Sequence, residues 1–299
     1  MSDDLLKQKP LFDRYAAACA CPLSAFSFVS VFTWADFFRF EFRAIEDNLC
    51  VFASDDIGTF LYLPPLGREF SPKAADAAFE FMHQANRGRG VSRIDNVPES
   101  WRRHFPEDRF RHQSKGHEYI YVREDIALLS GNAYKSQRAL CNYFVKHYDF
   151  EFRFFAAGDT AACLDLYDRW SADRREKNTD AVYRQMLDDN RRVHERIMRF
   201  ASALGLTGRV ISVDGTVRAY TFGYALTPEI FCILCEVADL QFKGIAVTIF
   251  RALCDDGDIR RFRFVNAMDD FAMANVARTK MSFKPAILWP SYTVTRLKI

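Results

Sequence analysis

Residues 230–254 read IFCILCEVADLQFKGIAVTIFRALC, an apolar run that passes into a helical pattern. The β-branched and aromatic residues through Ala238 favour a buried strand, whereas the apolar spacing from Gly244 to Cys254 predicts an amphipathic helix. Between them lies a turn made of Leu240, Gln241, Phe242, Lys243, Gly244, Ile245 and Ala246, the last six of which have the form Gln-x-x-Gly-x-Ala. A strand, a turn and a helix in this order indicate an α+β protein with a mixed sheet.

This turn is a candidate anion site, because a helix N-terminus offers unpaired N–H groups and a partial positive charge. Gly244 lets the backbone approach an anion closely, Ala246 keeps the first turn slim, and Lys243 adds positive charge. We therefore expect residues 240–246 to bind the phosphates of a ligand. The alternative is an ordinary tight turn between a strand and a helix. On the first interpretation, Gly244→Val preserves the fold at a loss of about 1 kcal/mol and weakens ligand binding by about a hundredfold or more.

The rest of the second half alternates helices and strands. Two polar helices, about 159–177 and 181–204, precede the hairpin RVISVDGTVRAYTFGYAL, whose Asp214-Gly215 pair is a strong turn signal. His194 lies among charged residues of the second helix, which predicts a surface histidine. The strand FRFVNAM and a last helix from Asp270 to Met281 follow the helix that begins at Gly244.

The first half shows a hairpin, a helix, a strand and a helix in the same order. LCVFAS and TFLYLPPL form the predicted hairpin, and Ser71-Pro72 opens a helix that runs to Asn86. The shared order indicates a duplicated α+β unit, with domains at 1–150 and 151–299. The first-half junction, Leu63-Pro64-Pro65-Leu66-Gly67-Arg68-Glu69, lacks N–H groups at its prolines, and Glu69 repels phosphate. We therefore expect only the second half to bind a phosphate-bearing ligand.

Composition excludes several classes of protein. Apolar residues make up 49% of the chain and charged residues 27%, which is typical of a folded globular protein. Because 41 basic residues balance 39 acidic ones, a strongly basic nucleic-acid coat is excluded, although a local basic groove is not. The eight scattered cysteines indicate free thiols and a cytoplasmic protein. Cys232 and Cys235 fall on a strand and point to opposite faces, so no metal site is predicted.

The longest uncharged stretch, Tyr15 to Ala35, is long enough to cross a bilayer. Pro22 and several hydroxyl residues interrupt it, and its apolar residues recur at helical spacing, which favours a buried helix. Acidic residues precede it where a signal peptide has basic ones. We therefore predict neither a transmembrane segment nor a signal peptide.

Four segments are similar to the family of the C-terminal domain of phosphatidylglycerol lysyltransferase: SAFSFVSVFTWADFF, EYIYVREDIALLSGNAYKSQRALCNYF, FCILCEVADLQFKG and FVNAMDDFAMANVARTKMSFKP. The turn at 240–246 also resembles the pyrophosphate-binding loop of the GCN5-related N-acetyltransferase fold. The resemblance spans nearly the whole chain. It implies two tandem acetyltransferase-like domains and the transfer of an acyl or aminoacyl group. The sequence shows no multi-helix membrane part like that of lipid lysyltransferases, and its last helix has no obvious Tyr where many acetyltransferases keep a general acid.

Acyl transfer to an amine needs a bound donor, a neutral nucleophile and a stabilised oxyanion. Carboxylates near the turn are candidates for accepting the proton of the nucleophile, and the ends of neighbouring strands converge on one crevice in such sheets. Glu236 precedes the turn, and Asp269 and Asp270 follow the strand FRFVNAM. We take these three as catalytic candidates. The alternative for Asp270 is capping of the last helix.

Basic residues elsewhere suggest two further hypotheses. Lys135, Arg138 and Asn142 share a predicted helix and either line the donor groove or form a solvated basic face. Arginines at 102–111 and 260–263 could form an RNA-facing patch.

Three functions follow from these residues and the resemblance. The first is an N-acyltransferase that uses an acyl-CoA as a donor substrate, with no tightly bound cofactor and a small-molecule amine as acceptor. The second is an aminoacyltransferase that takes its group from aminoacyl-tRNA for a lipid or peptide acceptor, which makes tRNA a partner. The third is a catalytically silent ligand-binding protein of the same fold.

Overall fold

The computed structural model describes residues 2–297, and the chain divides into two compact units. The first unit comprises the chain up to Tyr119 together with 268–276 and the residues from Leu288, and the second comprises 120–267 and 277–287. The chain thus returns to the first unit after Ala267, so the units do not follow the predicted boundary at residue 150. The predicted boundary divides the chain into its two acetyltransferase-like repeats, which need not coincide with the compact units. It therefore stays a prediction.

The helices of the first unit precede and follow its first hairpin. They are α1 Ser2–Leu6, α2 Lys9–Cys19, α3 Phe28–Thr33 and α4 Pro72–Ala85. Its strands are β1 Arg39–Ile45, β2 Asn48–Ser54, β3 Thr59–Leu61, β4 Ile94–Pro98, most of β5 Phe110–Val122 and most of β11 Ile287–Arg296. The strand order β1-β2-β3-β4-β11 is antiparallel except at β3 and β4, which run parallel. This mixture of directions confirms the predicted mixed sheet.

The second unit has most of its helices before its main sheet. They are α5 Arg123–Leu128, α6 Lys135–His147, α7 Thr160–Lys177, α8 Ala181–Arg199, α9 Ala201–Leu204 and α10 Ile245–Asp255. Its strands are β6 Phe150–Phe154, β7 Thr207–Val213, β8 Thr216–Ala225, β9 Ile230–Ala238 and β10 Phe264–Asn266, in the order β5-β10-β9-β8-β7-β6. The last helix, α11 Ala274–Ser282, spans the point where the chain passes between the units.

The core of the second unit lies between α10, α6 and the sheet. Seven buried apolar residues form it: Phe144, Ile211, Val213, Ala219, Ala238, Ile245 and Ile249. The first helical residue of α10 is therefore held in the core while the turn before it reaches the surface. This packing fixes the turn against the end of β9.

The uncharged stretch from Tyr15 to Ala35 forms the end of α2, a short 3-10 turn at Ser24–Phe26 and α3. Phe26, Val29 and Phe32, which recur at helical spacing, are buried as predicted, and Phe37 beyond the stretch is half-buried. Among residues 2–297, no helix is both long and apolar enough to cross a membrane. All eight cysteines lie in this range and are free thiols, which confirms the prediction that they form no disulfide framework.

Candidate functional site

One edge of β9 is open for most of its length. β9 pairs with β8 from Phe231 to Ala238, but it pairs with β10 only at Ile230, Phe231 and Cys232. Within the described part of the chain, residues 233–238 have no strand partner on the β10 side. The edge is therefore available to an extended ligand that offers its own amide or hydroxyl groups.

The direction of the backbone groups on this edge follows from one hydrogen bond. The N–H of Asp239 donates to the carbonyl oxygen of Arg218 at 2.8 Å, which makes these two residues a hydrogen-bonded pair. Because such pairs alternate along antiparallel strands, the backbone groups of Glu236 and Ala238 point to the open edge. The edge thus presents an N–H and a carbonyl group at each of these two residues.

Asp239 braces the turn that follows β9. Its carboxylate accepts the N–H of Gln241 at 3.2 Å and the guanidinium of Arg218, also at 3.2 Å. Its carbonyl oxygen accepts the N–H of Phe242 at 3.1 Å, and the Arg218 guanidinium lies 4.8 Å from the centre of the Phe242 ring. With its oxygens occupied in this way, Asp239 positions the turn and is no free base.

Gly244 is required by the packing of the turn. Its φ of 94° lies in the left-handed region. A Cβ at this position would lie 2.2 Å from the carbonyl oxygen of Leu140 and 3.1 Å from Cβ of Phe144, both on α6. The expectation that Gly244→Val costs only about 1 kcal/mol is therefore wrong, because a helix backbone occupies the space. A close approach to α6 accounts for the glycine without any anion.

The start of α10 nevertheless leaves N–H groups available. The N–H of Ile245 donates to the carbonyl oxygen of Phe242 at 3.1 Å, and Gly244 provides no side-chain cap. The N–H groups of Lys243, Gly244, Ala246 and Val247 have no acceptor among residues 2–297. Unpaired donors at a helix N-terminus are suited to bind an anion.

The seven predicted binding residues divide into three groups. Ile245 and Phe242 pack against the core of the second unit, so their side chains hold the turn in place. Gly244 and Ala246 are half-buried. Leu240 is 63% exposed, and Gln241 and Lys243 are exposed as well. The exposed side chains are therefore the ones that can reach a ligand at this turn.

Glu236 places its carboxyl group under α10. It shares a face of β9 with Ala238, which contacts the core there, and lies on the face opposite Cys235, as the strand pattern predicts. Its Oε2 is buried without a hydrogen-bond partner, although its backbone lies on the open edge. Burial raises the pKa of Glu236 to about 8. The pKa of the Cys254 thiol on α10 is raised by burial and then by the charge of Glu236, as expected for two neighbouring groups.

Asp269 and Asp270 belong to the first unit, whereas Glu236 and the turn belong to the second. Asp270 accepts the hydroxyl of Tyr119 at 2.6 Å and the N–H of Ala272 at 2.9 Å. Since α11 begins only at Ala274, the alternative that Asp270 caps this helix is wrong. Burial, followed by the hydrogen bond to Asp270, raises the pKa of Tyr119 to about 12.

Several weaker sequence hypotheses change with the structure. Arg138 donates to the carbonyl oxygens of Leu129 and Gly131, so it holds the end of α5 and does not line a groove. His194 is buried, and its Nδ1 lies 2.7 Å from the hydroxyl of Tyr220; the prediction of a surface histidine is wrong. The predicted RNA-facing arginines are partly neutralised by ion pairs: Arg102 with Glu99 and Glu107, Arg109 with Asp76, and Arg260 with Asp255.

The family described as phosphatidylglycerol lysyltransferase, C-terminal, matches residues 22–295. No curated protein sequence matches the chain. The family match covers most of both units, including the turn and all three carboxylate candidates.

Solved structures with a similar fold cover nearly the whole chain. A conserved protein of unknown function from Bacteroides thetaiotaomicron has a TM-score of 0.85 at 22% identity, over 98% of this chain and 97% of its own. L-PGS from Bacillus licheniformis has a TM-score of 0.66 at 16% identity, over 99% of this chain and 90% of its own. A tandem GNAT protein from the clavulanic acid biosynthesis pathway has a TM-score of 0.53 at 9% identity, over 98% of this chain and 95% of its own. These likenesses show the fold and confirm the predicted tandem N-acetyltransferase-like class.

Proposed function

The chain belongs to the phosphatidylglycerol lysyltransferase C-terminal family, and from this membership we propose that it is an aminoacyltransferase that uses aminoacyl-tRNA as its donor. The acceptor is an amine or a hydroxyl group. The observation that supports a donor site is the open edge of β9 leading directly into the uncapped start of α10. An extended donor fits along the edge, and its phosphate fits at the unpaired N–H groups.

The reaction breaks one ester bond and forms a new amide or ester bond. The acceptor nitrogen or oxygen attacks the carbonyl carbon of the aminoacyl ester, and the bond from that carbon to the ribose oxygen breaks. The proton lost by the acceptor ends on the ribose oxygen. No redox step is involved, so the protein needs to position both substrates, stabilise the oxyanion and move one proton.

Glu236 is the proposed proton carrier of this reaction. A carboxyl group with a pKa of about 8 changes its protonation state near neutral pH, which suits acid–base catalysis. Because Oε2 is buried, we propose that the proton reaches it through a water molecule at the open edge beside β9. Asp269 and Asp270 remain candidates for holding a cationic acceptor, with Asp270 oriented by Tyr119.

An acyl-CoA-dependent N-acyltransferase is the second candidate. The four unpaired N–H groups at 243–247 favour it, since they suit a diphosphate, and the open strand edge suits the amides of a pantetheine arm. Gly244 is no evidence for this donor, because its close contact with Leu140 on α6 explains the glycine without a ligand.

A transfer assay with two donors tests the proposal. The protein is incubated with tRNA that has been charged with a mixture of radiolabelled amino acids, in the presence of phosphatidylglycerol vesicles or soluble amines, and label leaving the RNA is followed into each acceptor. A parallel reaction replaces charged tRNA by acetyl-CoA and longer acyl-CoAs. We expect transfer from charged tRNA that Glu236→Gln slows. Turnover of acyl-CoA alone would replace the proposal by the second candidate, and no turnover of either donor would favour a silent binding protein.

A further inference from the structure

The exposed face of α6 has a charge that no carboxylate on the same helix offsets. Residues 135–147 read KSQRALCNYFVKH, with Lys135, Arg138, Lys146 and His147 but no acidic residue. Arg138 is bound to backbone carbonyl groups, whereas Lys135, Lys146 and His147 are exposed. The two lysines are eleven positions apart, about 16 Å along the helix. This is a longer basic surface than a single diphosphate needs.

An aromatic pair lies at the C-terminal end of this face. The rings of Tyr143 and His147 are stacked, with centres 4.0 Å apart and planes 17° from parallel. Both residues are exposed, Tyr143 to 37%. Nζ of Lys243, from the turn before α10, lies 4.7 Å from the centre of the Tyr143 ring. Stacked exposed rings next to cations are the combination by which proteins bind single-stranded nucleic acid.

The basic face continues into the start of α10. Leu140, in the middle of α6, contacts Gly244, so the two helices meet at the turn that has unpaired N–H groups. Asp239, the carboxylate of this turn, is engaged by Arg218. Asp149 follows α6 and is exposed beyond its end. The positive residues therefore form a row from Lys146 through Lys243 to the turn.

We infer that this row, extended along α6 to Lys135 and defined as Lys135, Tyr143, Lys146, His147 and Lys243, binds the single-stranded 3′ end of an RNA. The inference rests on the proposed function and extends it, since it identifies the surface that holds the nucleic-acid part of the donor. Bases stack on the Tyr143–His147 pair, and the lysines contact the phosphates. A lipid surface fits less well, because the exposed side of α6 also includes Ser136 and Asn142 and lacks the continuous apolar face of a membrane-binding helix.

The test measures binding of a fluorescein-labelled single-stranded RNA that ends in CCA, at low salt and at increasing salt. Tyr143→Ala should weaken binding roughly tenfold through lost stacking. Lys146→Glu should also weaken it about tenfold and reduce the dependence on salt. Lys73→Glu is the matched control, because Lys73 is exposed on α4 of the first unit and the change in net charge is the same. Thermal melts of each variant establish that it is folded.

The inference is upheld if the two α6 variants lose RNA binding and the Lys73 control does not. It is overturned if the control weakens binding equally, if phosphatidylglycerol vesicles and not RNA show the dependence on Tyr143 and Lys146, or if coenzyme A shows it and RNA does not. Its failure is distinct from failure of the proposed function. If both α6 variants transfer from charged tRNA with an unchanged KM, the RNA-binding surface is refuted and the proposed function stands. If RNA binds at α6 but no transfer occurs, the proposed function is refuted and the surface stands.

Discussion

Two of the junctions at which a strand leads into a helix, β3 to α4 and β9 to α10, differ at the first turn of the helix. Before α4, the hydroxyl of Ser71 accepts the N–H of Ala74 at 3.1 Å, and Pro72 has no N–H group. Before α10, Gly244 offers no side chain, and the N–H groups of Ala246 and Val247 lack an acceptor in the described chain. The first junction thus uses its own cap, whereas the second is available to an external anion.

A second difference lies in the strands that precede the helices. Tyr62, directly after β3, is buried, and its hydroxyl lies 2.8 Å from that of Ser30. Glu236, on β9, is a titratable group whose buried oxygen has no partner. A buried polar atom without a hydrogen-bond partner costs stability. Because Glu236 brings such an atom to the second junction and Tyr62 does not bring one to the first, the contrast points to function at the second junction. Four changes test this contrast, beginning with the largest expected effect.

Replacement of Gly244 by valine should unfold the second junction. The new Cβ overlaps the carbonyl oxygen of Leu140, and φ of 94° is strained for a β-branched residue, so the free energy of unfolding should fall by about 3 kcal/mol or more. Urea denaturation measures this loss. Gly158→Ala is the control, because nothing lies within 4 Å of a Cβ at Gly158, and it should change stability by less than about 0.5 kcal/mol.

A Gly244→Val variant as stable as the Gly158 control would show that α6 does not abut the turn. The close contact would then no longer explain the glycine, and an anion would again be its best explanation.

Glu236→Gln should change how stability depends on pH. Since burial raises the folded-state pKa of Glu236 from 4.5 to about 8, its protonated form stabilises the native state fully below pH 4.5. This stabilisation is lost as pH rises through about 8, and the glutamine variant does not lose it. Relative to wild type, the variant should therefore gain on the order of 3 kcal/mol between pH 5 and pH 9. Urea titrations at both pH values measure the difference.

Tyr62→Phe provides the matched control at the first junction. Burial raises the pKa of Tyr62 further above its already alkaline value, so this variant should show the pH dependence of wild type between pH 5 and pH 9. Parallel curves for wild type and Glu236→Gln would contradict a buried carboxyl group at Glu236.

Ser71→Ala should remove the cap of α4 and cost about 1 kcal/mol of stability, without any effect on donor binding or transfer. Thermal melts and the transfer assay check the two halves of this prediction. A loss of donor affinity as large as the roughly tenfold loss expected for Lys146→Glu would mean that the first junction also binds donor.

Gln241→Ala should have the smallest effect. The side chain is exposed and makes no hydrogen bond in the described chain, whereas the bond of its N–H to Asp239 persists in the variant. We expect the free energy of unfolding to stay within about 0.5 kcal/mol of wild type. Donor affinity should fall by less than about tenfold, because the variant removes one polar contact. Calorimetric titration of the donor checks this, and a hundredfold loss would assign Gln241 a larger part in binding.

Local signals in the sequence predicted most of the fold. The Asp214-Gly215 turn has positive φ at both residues, and Ser71 caps its helix, because turn and cap chemistry depends on neighbours in the chain. The start of the last helix was misplaced because residues before it adopt left-handed conformations, among them Phe271 and Ala272, that their residue types do not signal.

The site depended more on long-range contacts. The turn at 240–246 was recognisable from its pattern, but the contact of Gly244 with Leu140 joins segments about a hundred residues apart. The bonds of Tyr119 to Asp270 and of His194 to Tyr220 likewise have no local signal. The face on which Glu236 lies followed from strand alternation, whereas its unsatisfied oxygen appears only when α10 is packed over the sheet.

Amide NMR of the two junctions during titration with charged tRNA, and separately with acetyl-CoA, tests the central claim most directly. We expect charged tRNA to shift the N–H resonances of Lys243, Gly244, Ala246 and Val247, and to leave those of Lys73 and Ala74 unchanged. Shifts at α4, or a saturated complex in which the α10 resonances do not move, would contradict the assignment of the donor site to the second junction.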